Sequence, residues 1–155
     1  MSNPKTVKFR NADMYWDIAA DIYFPPGFDD KKTYPAIITA HPIGSCKEQT
    51  AGNVYGKALA EAGFVAIAFD RSTQGASGGE PRYIEDPVMA VEDIRRVVDY
   101  LVTQPYVDAD RIGILKDGRL LLCEETESLK SRFRSVRYRS EVTEGRTEFG
   151  NERDE

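Results

Sequence analysis

The sequence is poor in the side chains that most often carry chemistry. Its 155 residues include one histidine, His41, and two cysteines, Cys46 and Cys123. Two cysteines do not make a disulfide framework, and with a single imidazole they do not complete a structural zinc site. We therefore predict free thiols, no bound metal and no cofactor.

Long apolar runs are missing as well. No stretch approaches the roughly 20 apolar residues of a membrane-spanning helix, and the N-terminal MSNPKTVKFR lacks the apolar core of a secretion signal. The formal net charge of -5 gives no reason to expect nucleic-acid binding. These absences predict a cytoplasmic protein that binds neither membranes nor nucleic acid.

The composition that remains is that of a globular protein with an uneven distribution of charge. Apolar residues make up 41% of the chain, which is about one domain long. Charged residues number 28 in the first 115 positions and 19 in the last 40. We predict a folded domain over residues 1–115, an extension over 116–142 and a disordered tail over 143–155.

The first 115 residues alternate between strand and helix patterns. A helix is predicted over residues 48–62, with Val54, Leu59 and Ala62 on its buried face, and a second helix begins at Asp86 and Pro87. Five segments read as strands, the first two antiparallel and the others parallel: residues 6–10, 17–24, 34–40, 64–69 and 111–115. The pattern predicts an α/β fold with a parallel unit behind an antiparallel pair.

Two loops at the carboxyl ends of these strands carry recognisable sequences. Together with their neighbours they form the segments AHPIGSCKEQTAG, GFVAIAFDRSTQGASGGEPR, DPVMAVEDIRRVVDYL and VDADRIGIL. Over residues of about 5–115 these segments resemble the N-terminal half of an α/β hydrolase, most closely its dienelactone-hydrolase-like and peptidase-like branches. The resemblance implies an incomplete α/β-hydrolase sheet in the order 1-2-4-3-5 and an ancestral hydrolysis of esters, lactones or amides.

The loop after the third strand corresponds to the oxyanion-hole loop of that family. In the family this loop aims a backbone N–H at the oxygen that becomes negative in acyl transfer. The resemblance implies that Ile43 is the donor, that His41 and Pro42 fix the turn, and that Gly44 lets substrate approach. The alternative is that these residues form a retained structural turn.

The position of the family's nucleophile lacks a nucleophile in this sequence. The motif G-x-S-x-G follows the fifth strand in family members, which places it on residues 116–120 here. Gly118 stands at the nucleophile position, and Lys116 and Leu120 replace the two glycines. Because no histidine follows Leu115, the resemblance predicts no Ser/His/Asp triad and an inactive chain, with no catalytic residue assigned.

Three other segments imitate catalytic motifs. Ser77 lies in a literal G-x-S-x-G, but Glu80 and Pro81 follow it instead of a helix, so it is only an outside candidate for a nucleophile. Residues 52–58 resemble a phosphate loop, yet they are one residue short and lie within the predicted helix, where their glycines would permit close packing. Cys46, close to His41 but without an orienting third group, is predicted to be inert.

The residues after the fifth strand carry a second resemblance. Residues 110–139, DRIGILKDGRLLLCEETESLKSRFRSVRYR, are similar to the region that follows the nucleotide-binding core of ABC-transporter ATPases. Asp-Gly between apolar runs predicts a β-hairpin, in which residues 119–123 fold back on the fifth strand; a short helix over 124–133 and a charged strand over 135–142 would follow. The two resemblances overlap at residues 110–115, which suggests a chimeric reading frame or a sequence-assembly join. No phosphate loop accompanies this segment, so ATP binding is not predicted.

Two functional hypotheses follow from the sequence. The first is a truncated or chimeric α/β-hydrolase-like pseudoenzyme, with a small ester or amide as substrate only if residual activity exists. The second is a non-catalytic binding module that uses an open sheet edge and a group of basic residues. An uncovered edge also predicts self-association or marginal stability. The basic residues are Lys130, Arg132, Arg134, Arg137 and Arg139.

Overall fold

Six strands form one mixed sheet in the order β1-β2-β4-β3-β5-β6. The computed structural model of the protein describes residues 3–12, 14–116 and 119–124. The strands are β1 (Lys5–Arg10), β2 (Asp17–Tyr23), β3 (Tyr34–Ala40), β4 (Val65–Phe69), β5 (Val107–Lys116) and β6 (Arg119–Glu124). Among the described residues, no helix combines the length and the apolar character that crossing a membrane requires.

The predicted order 1-2-4-3-5 is confirmed. β1 pairs antiparallel with β2, and β2 pairs antiparallel with β4. β3 lies between β4 and β5 and is parallel to both, as its continuous run of apolar residues indicates. The fifth strand begins at Val107, four residues earlier than predicted.

The predicted return of the chain onto the fifth strand is also confirmed. β6 pairs antiparallel with β5, and Lys116 lies opposite Arg119. β5 is therefore paired on both sides, and β6 is the edge strand of the described sheet. Several predictions lie outside the described residues: the turn at 117–118, the group of basic residues between 130 and 139, and the helix, strand and tail after Glu124.

The long helix α2 (Pro87–Val102) begins where the sequence predicts. The Asp86 carboxylate accepts hydrogen bonds from the N–H groups of Val88 and Met89 at 2.8 and 3.4 Å, and proline occupies the first turn, where it sacrifices no hydrogen bond. Towards its other end, α2 buries Val97, Val98 and Leu101 in the main core against the sheet. Its first half is less covered, and this difference positions one of the cavities described below.

The helix predicted over residues 48–62 is wrong in form and in its buried face. The chain makes π-helical turns over Thr50–Gly56 and continues as a short helix, α1 (Lys57–Glu61). Val54 is 56% exposed, Ala62 is exposed as well and Leu59 is partly buried. The wider winding of the π turns changes which side chains share a face, so α-helical spacing chooses the wrong ones. The buried positions are Ala51, Gly52, Gly56 and Ala60.

The two glycines of this segment permit the close packing that the sequence predicts. A Cβ atom on Gly52 would lie 2.3 Å from the carbonyl oxygen of Lys47 and 2.5 Å from the hydroxyl oxygen of Tyr23. A Cβ atom on Gly56 would lie 2.8 Å from the Tyr23 ring. Tyr23 therefore packs directly on the backbone of the π turns.

The variant Gly52→Ala is expected to lower the free energy of unfolding by about 3 kcal/mol, because the added methyl group overlaps backbone and ring atoms. Urea unfolding followed by circular dichroism measures the change. The control is Gly27→Ala: Gly27 has a φ of +66° and open space around it, so only about 1 kcal/mol of backbone strain is expected. Equal losses in the two variants would contradict the packing argument.

Candidate functional site

The carboxyl ends of β3, β4 and β5 meet at one edge of the sheet, where ligands bind in folds of this kind. Two loops, residues 41–49 and 70–86, lie there. Between and beside them are two open cavities of about 350 and 380 Å³. Ile43 and Glu85 line both cavities and form the ridge that separates them.

His41 connects the two loops instead of facing the cavities. Its imidazole is buried, with Nδ1 2.8 Å from the Pro42 carbonyl oxygen and Nε2 accepting the Arg71 backbone N–H at 3.3 Å. A carbonyl only accepts hydrogen bonds, so Nδ1 carries the proton. Burial lowers the pKa of His41. The ring is neutral near pH 7, and both of its nitrogens are already engaged.

Because the pKa of His41 is lowered in the folded protein, its contribution to stability is present above the ordinary value of 6.5 and is lost as the pH falls through the folded value. The free energy of unfolding is therefore expected to fall as the pH is lowered from 6.5 towards the folded pKa of His41. One histidine in the chain makes the assignment direct: NMR titration of its imidazole protons gives the folded pKa. A folded pKa at or above 6.5, or an unchanged slope in His41→Gln, would contradict this prediction.

Ile43 occupies the tip of the first loop. It is 77% exposed, and its backbone N–H has no acceptor among the described residues. Next to it, Gly44 has a φ of +72° and donates its N–H to Glu85 Oε1 at 3.3 Å. The loop thus presents the N–H that the resemblance implies as an oxyanion donor. A carboxylate lies beside it, however, and would oppose a developing negative charge.

The second loop holds two non-glycine residues in the left-handed region of backbone space. Thr73 has a φ of 68° and Tyr83 a φ of 65°, and the Tyr83 N–H donates to the Thr73 carbonyl at 3.0 Å. Such strain persists only where the surrounding structure enforces it. The result is that the Tyr83 ring, 76% exposed, stands in the wall of the smaller cavity.

The described backbone on both sides of the predicted nucleophile position is extended. Gly118 itself lies outside the described residues, but both of its sides belong to strands, Val107–Lys116 before it and Arg119–Glu124 after it. An elbow requires a helix directly after the nucleophile. The described chain continues as β6 instead.

The other two candidate nucleophiles, Ser77 and Cys46, both take part in hydrogen bonds. Ser77 is buried, donates its hydroxyl proton to the Asp70 carbonyl oxygen at 2.6 Å and accepts the Ala19 N–H at 2.8 Å. A carbonyl oxygen does not act as a general base. Burial and a hydrogen bond with Glu48 raise the pKa of the Cys46 thiol, which favours the neutral form. No group of metal-binding side chains is found within the part of the chain that the structure describes.

Comparison with known proteins identifies the family of the chain. A family model described as X-Pro dipeptidyl-peptidase (S15 family) matches residues 16–115. The chain belongs to the S15 family. The peptidase-like, α/β-hydrolase-type resemblance of the sequence is thereby confirmed, whereas the resemblance to ABC ATPases stays a prediction.

Two relatives and a solved hydrolase structure are similar to the chain over part of their length. The S15 chain is 57% identical over 98 residues to the uncharacterized protein YcjY of Escherichia coli (strain K12), a match covering 63% of this chain and 32% of YcjY. The crystal structure of the hypothetical protein PA2218 from Pseudomonas aeruginosa matches with a TM-score of 0.66 and 39% identity, over 72% of this chain and 34% of that one. The α/β hydrolase GrgF from Penicillium sp. sh18, 21% identical with a TM-score of 0.65 over 73% of this chain and 37% of its own, shares the fold. The S15 chain thus spans about a third of the length of YcjY.

Sequence reasoning missed a buried lysine that joins the two loops of the S15 chain. The Lys47 ammonium lies 3.7 Å from Asp21 Oδ2 and 3.5 Å from Asp70 Oδ2, and it also contacts Glu48. Burial lowers the pKa of Lys47, but the Glu48 hydrogen bond and the neighbouring carboxylates outweigh burial, and the pKa is raised overall. The Asp70 carboxylate also accepts the N–H groups of Lys47 and Ala76, both at 2.8 Å.

A second buried carboxylate fixes the start of the loop at residues 70–86. Asp93 of α2 accepts the Ser72 N–H at 2.7 Å, the Ser72 hydroxyl at 2.6 Å and the Asn11 amide at 2.9 Å. The Trp16 indole N–H donates to the same Ser72 hydroxyl at 2.8 Å. Burial raises the pKa of Asp93 despite these hydrogen bonds. The network joins the loop to the helix and to the β1–β2 turn.

Proposed function

We propose that the 155-residue S15 chain carries the oxyanion-side loops of an α/β hydrolase without the groups that break a bond. It then hydrolyses no ester, lactone or amide through a triad. The observation that carries this proposal is β6 (Arg119–Glu124), a strand where the family's nucleophile elbow continues into a helix. The sequence at that place, with Lys116 and Leu120 for the two glycines, agrees with it.

The remaining polar groups support the same proposal. The chain has no histidine besides His41, and both nitrogens of His41 are used in holding the loops. The hydroxyl of Ser77 is committed to backbone partners on both sides. An imidazole within reach of a nucleophile, which a Ser/His/Asp triad needs, is therefore missing from the described residues.

Activity-based labelling tests the proposal. The purified chain is incubated with a fluorophosphonate probe, with p-nitrophenyl acetate and with an alanyl-prolyl p-nitroanilide, the last because of the X-Pro specificity in the family's description. We expect no labelled residue and turnover no higher than that of an equal concentration of the heat-denatured chain. Ser77→Ala is the matched control. Labelling at Ser77, or turnover that disappears in Ser77→Ala, would overturn the proposal.

We also propose that two unrelated sequences join near Leu115. The S15 match ends at residue 115, and the sequence similar to the ABC-ATPase region runs on from 110 to 139. The strand RIGIL at residues 111–115 suits both parent sequences, so the sheet would tolerate the join. Sequencing reads across this position test it: uninterrupted genomic reads support a natural fusion, and reads that break there show an assembly artefact.

A further inference from the structure

The larger of the two cavities lies between the carboxyl ends of β3 and β5 and the first half of α2. Its volume is about 380 Å³, within the range of small-molecule sites. Most of its wall is apolar and comes from Ile43, Val91, Ile94 and Ile114. The apolar side chains of α2 thus have two settings: Val98 and Leu101 enter the core, and Val91 and Ile94 line the cavity.

The charged residues of the lining are two cations and one anion. Arg71 Nη1 pairs with Glu85 Oε2 at 3.0 Å, while Lys116, at the end of β5, has no second carboxylate in the lining. The Arg71 nitrogens Nε and Nη2 are buried and have no hydrogen-bond partner among the described residues. Because these two nitrogens have no exposed surface, a ligand in the cavity would interact with Arg71 through its positive charge and not through them.

We propose that this cavity binds a small monocarboxylate with an apolar body. Its carboxylate would lie between Lys116 and Arg71, and its hydrocarbon part would contact Val91, Ile94 and Ile114. The single excess positive charge favours one carboxylate over a dianion, because Glu85 stays in the same wall. No bond is made or broken, so the proposal needs no nucleophile and goes beyond the function proposed above.

Hexanoate is the probe, titrated into the full chain by isothermal calorimetry and by NMR. The comparators are 1-hexanol and hexylammonium, which keep the body and change the charge, and acetate, which keeps the charge and removes the body. We expect hexanoate to bind at least about tenfold more tightly than each of the three, and less tightly at high salt. Hexylammonium or 1-hexanol binding as well as hexanoate would overturn the proposal, as would acetate.

Charge-reversal variants locate the carboxylate. Lys116→Glu is expected to weaken hexanoate about tenfold or more, because it replaces attraction with repulsion in a partly enclosed site. The matched control, Lys31→Glu, makes the same change in net charge at an exposed lysine near the opposite ends of the strands, before β3, and should leave binding unchanged. Ile94→Ser should weaken hexanoate and 1-hexanol alike. Equal effects of Lys116→Glu and Lys31→Glu would refute the assignment. Hexanoate is not a hydrolase substrate, so this result and that of the labelling experiment are independent.

Discussion

Replacing Lys47 by methionine is expected to lower the free energy of unfolding by about 3–5 kcal/mol, the usual cost of removing one partner from a buried group of charges. Methionine retains most of the length of the side chain, so little packing is lost. What disappears is the ammonium between Asp21 and Asp70, and the Asp70 side chain is completely buried. Urea unfolding at pH 7 and constant ionic strength measures the loss.

A lysine in an exposed ion pair supplies the control. Lys32 lies 3.9 Å from Asp29, and its side chain is 70% exposed, so Lys32→Met should cost less than about 0.5 kcal/mol. Lys47→Met should also accelerate amide hydrogen exchange in residues 41–49, because the lysine joins that loop to Asp70. If the two variants lost equal stability, or if exchange in the loop were unchanged, Lys47 would not hold the loops together.

The sheet could be predicted because its strands carry their own signals. The run YPAIITA at residues 34–40 is continuous and apolar, and it forms β3 with those same bounds. The start of α2 could be predicted equally well, since Asp86 is a helix cap and Pro87 a suitable first-turn residue. Local chemistry decides such features, so one sequence is enough to find them.

The π turns and the buried lysine could not be found in this way. At residues 50–56 the fit of two glycines against Tyr23 fixes the winding, and this fit depends on β2, which lies far away in sequence. Lys47 is similar: its partners Asp21 and Asp70 belong to two other segments, and only the assembled sheet brings them together. Between Cys46 and Glu48, a lysine reads as an ordinary surface charge.

The candidate site, too, could be predicted only where local sequence decides its features. The absence of G-x-S-x-G at residues 116–120 can be read directly from the sequence. The Asp-Gly pair at the same place predicts that the chain returns along β5, as β6 does. The two cavities, and the ridge of Ile43 and Glu85 between them, arise from loops that meet only in the fold. One signal was overlooked: Asp93 is four residues from Val97 and eight from Leu101, so it shares their buried face.

Because Asp93 is buried on this face, its replacement is the second substitution for which we expect a large loss of stability. Asp93→Ala is expected to cost about 2–4 kcal/mol, because the buried Ser72 N–H loses its acceptor and the Asn11 amide keeps only a long 3.5 Å hydrogen bond to the Ser72 hydroxyl. Removing a buried carboxylate recovers part of its desolvation cost, as the raised pKa of Asp93 shows, but three hydrogen bonds are lost with it. Asp93→Asn, which keeps one carbonyl oxygen, should cost less than Asp93→Ala.

Asp99 on the same helix supplies the matched control, since its carboxylate pairs with Arg96 at 3.0 Å and its side chain is 37% exposed. Asp99→Ala should cost no more than about 1 kcal/mol. Asp93 also fixes Ser72, the neighbour of Arg71, so Asp93→Ala should weaken hexanoate binding under conditions where the chain remains folded, whereas Asp99→Ala should not. If Asp93→Ala left hexanoate affinity unchanged, the loop at residues 70–86 would owe its position to Lys47 and the strained pair Thr73 and Tyr83. The buried carboxylate of α2 would then support the core alone.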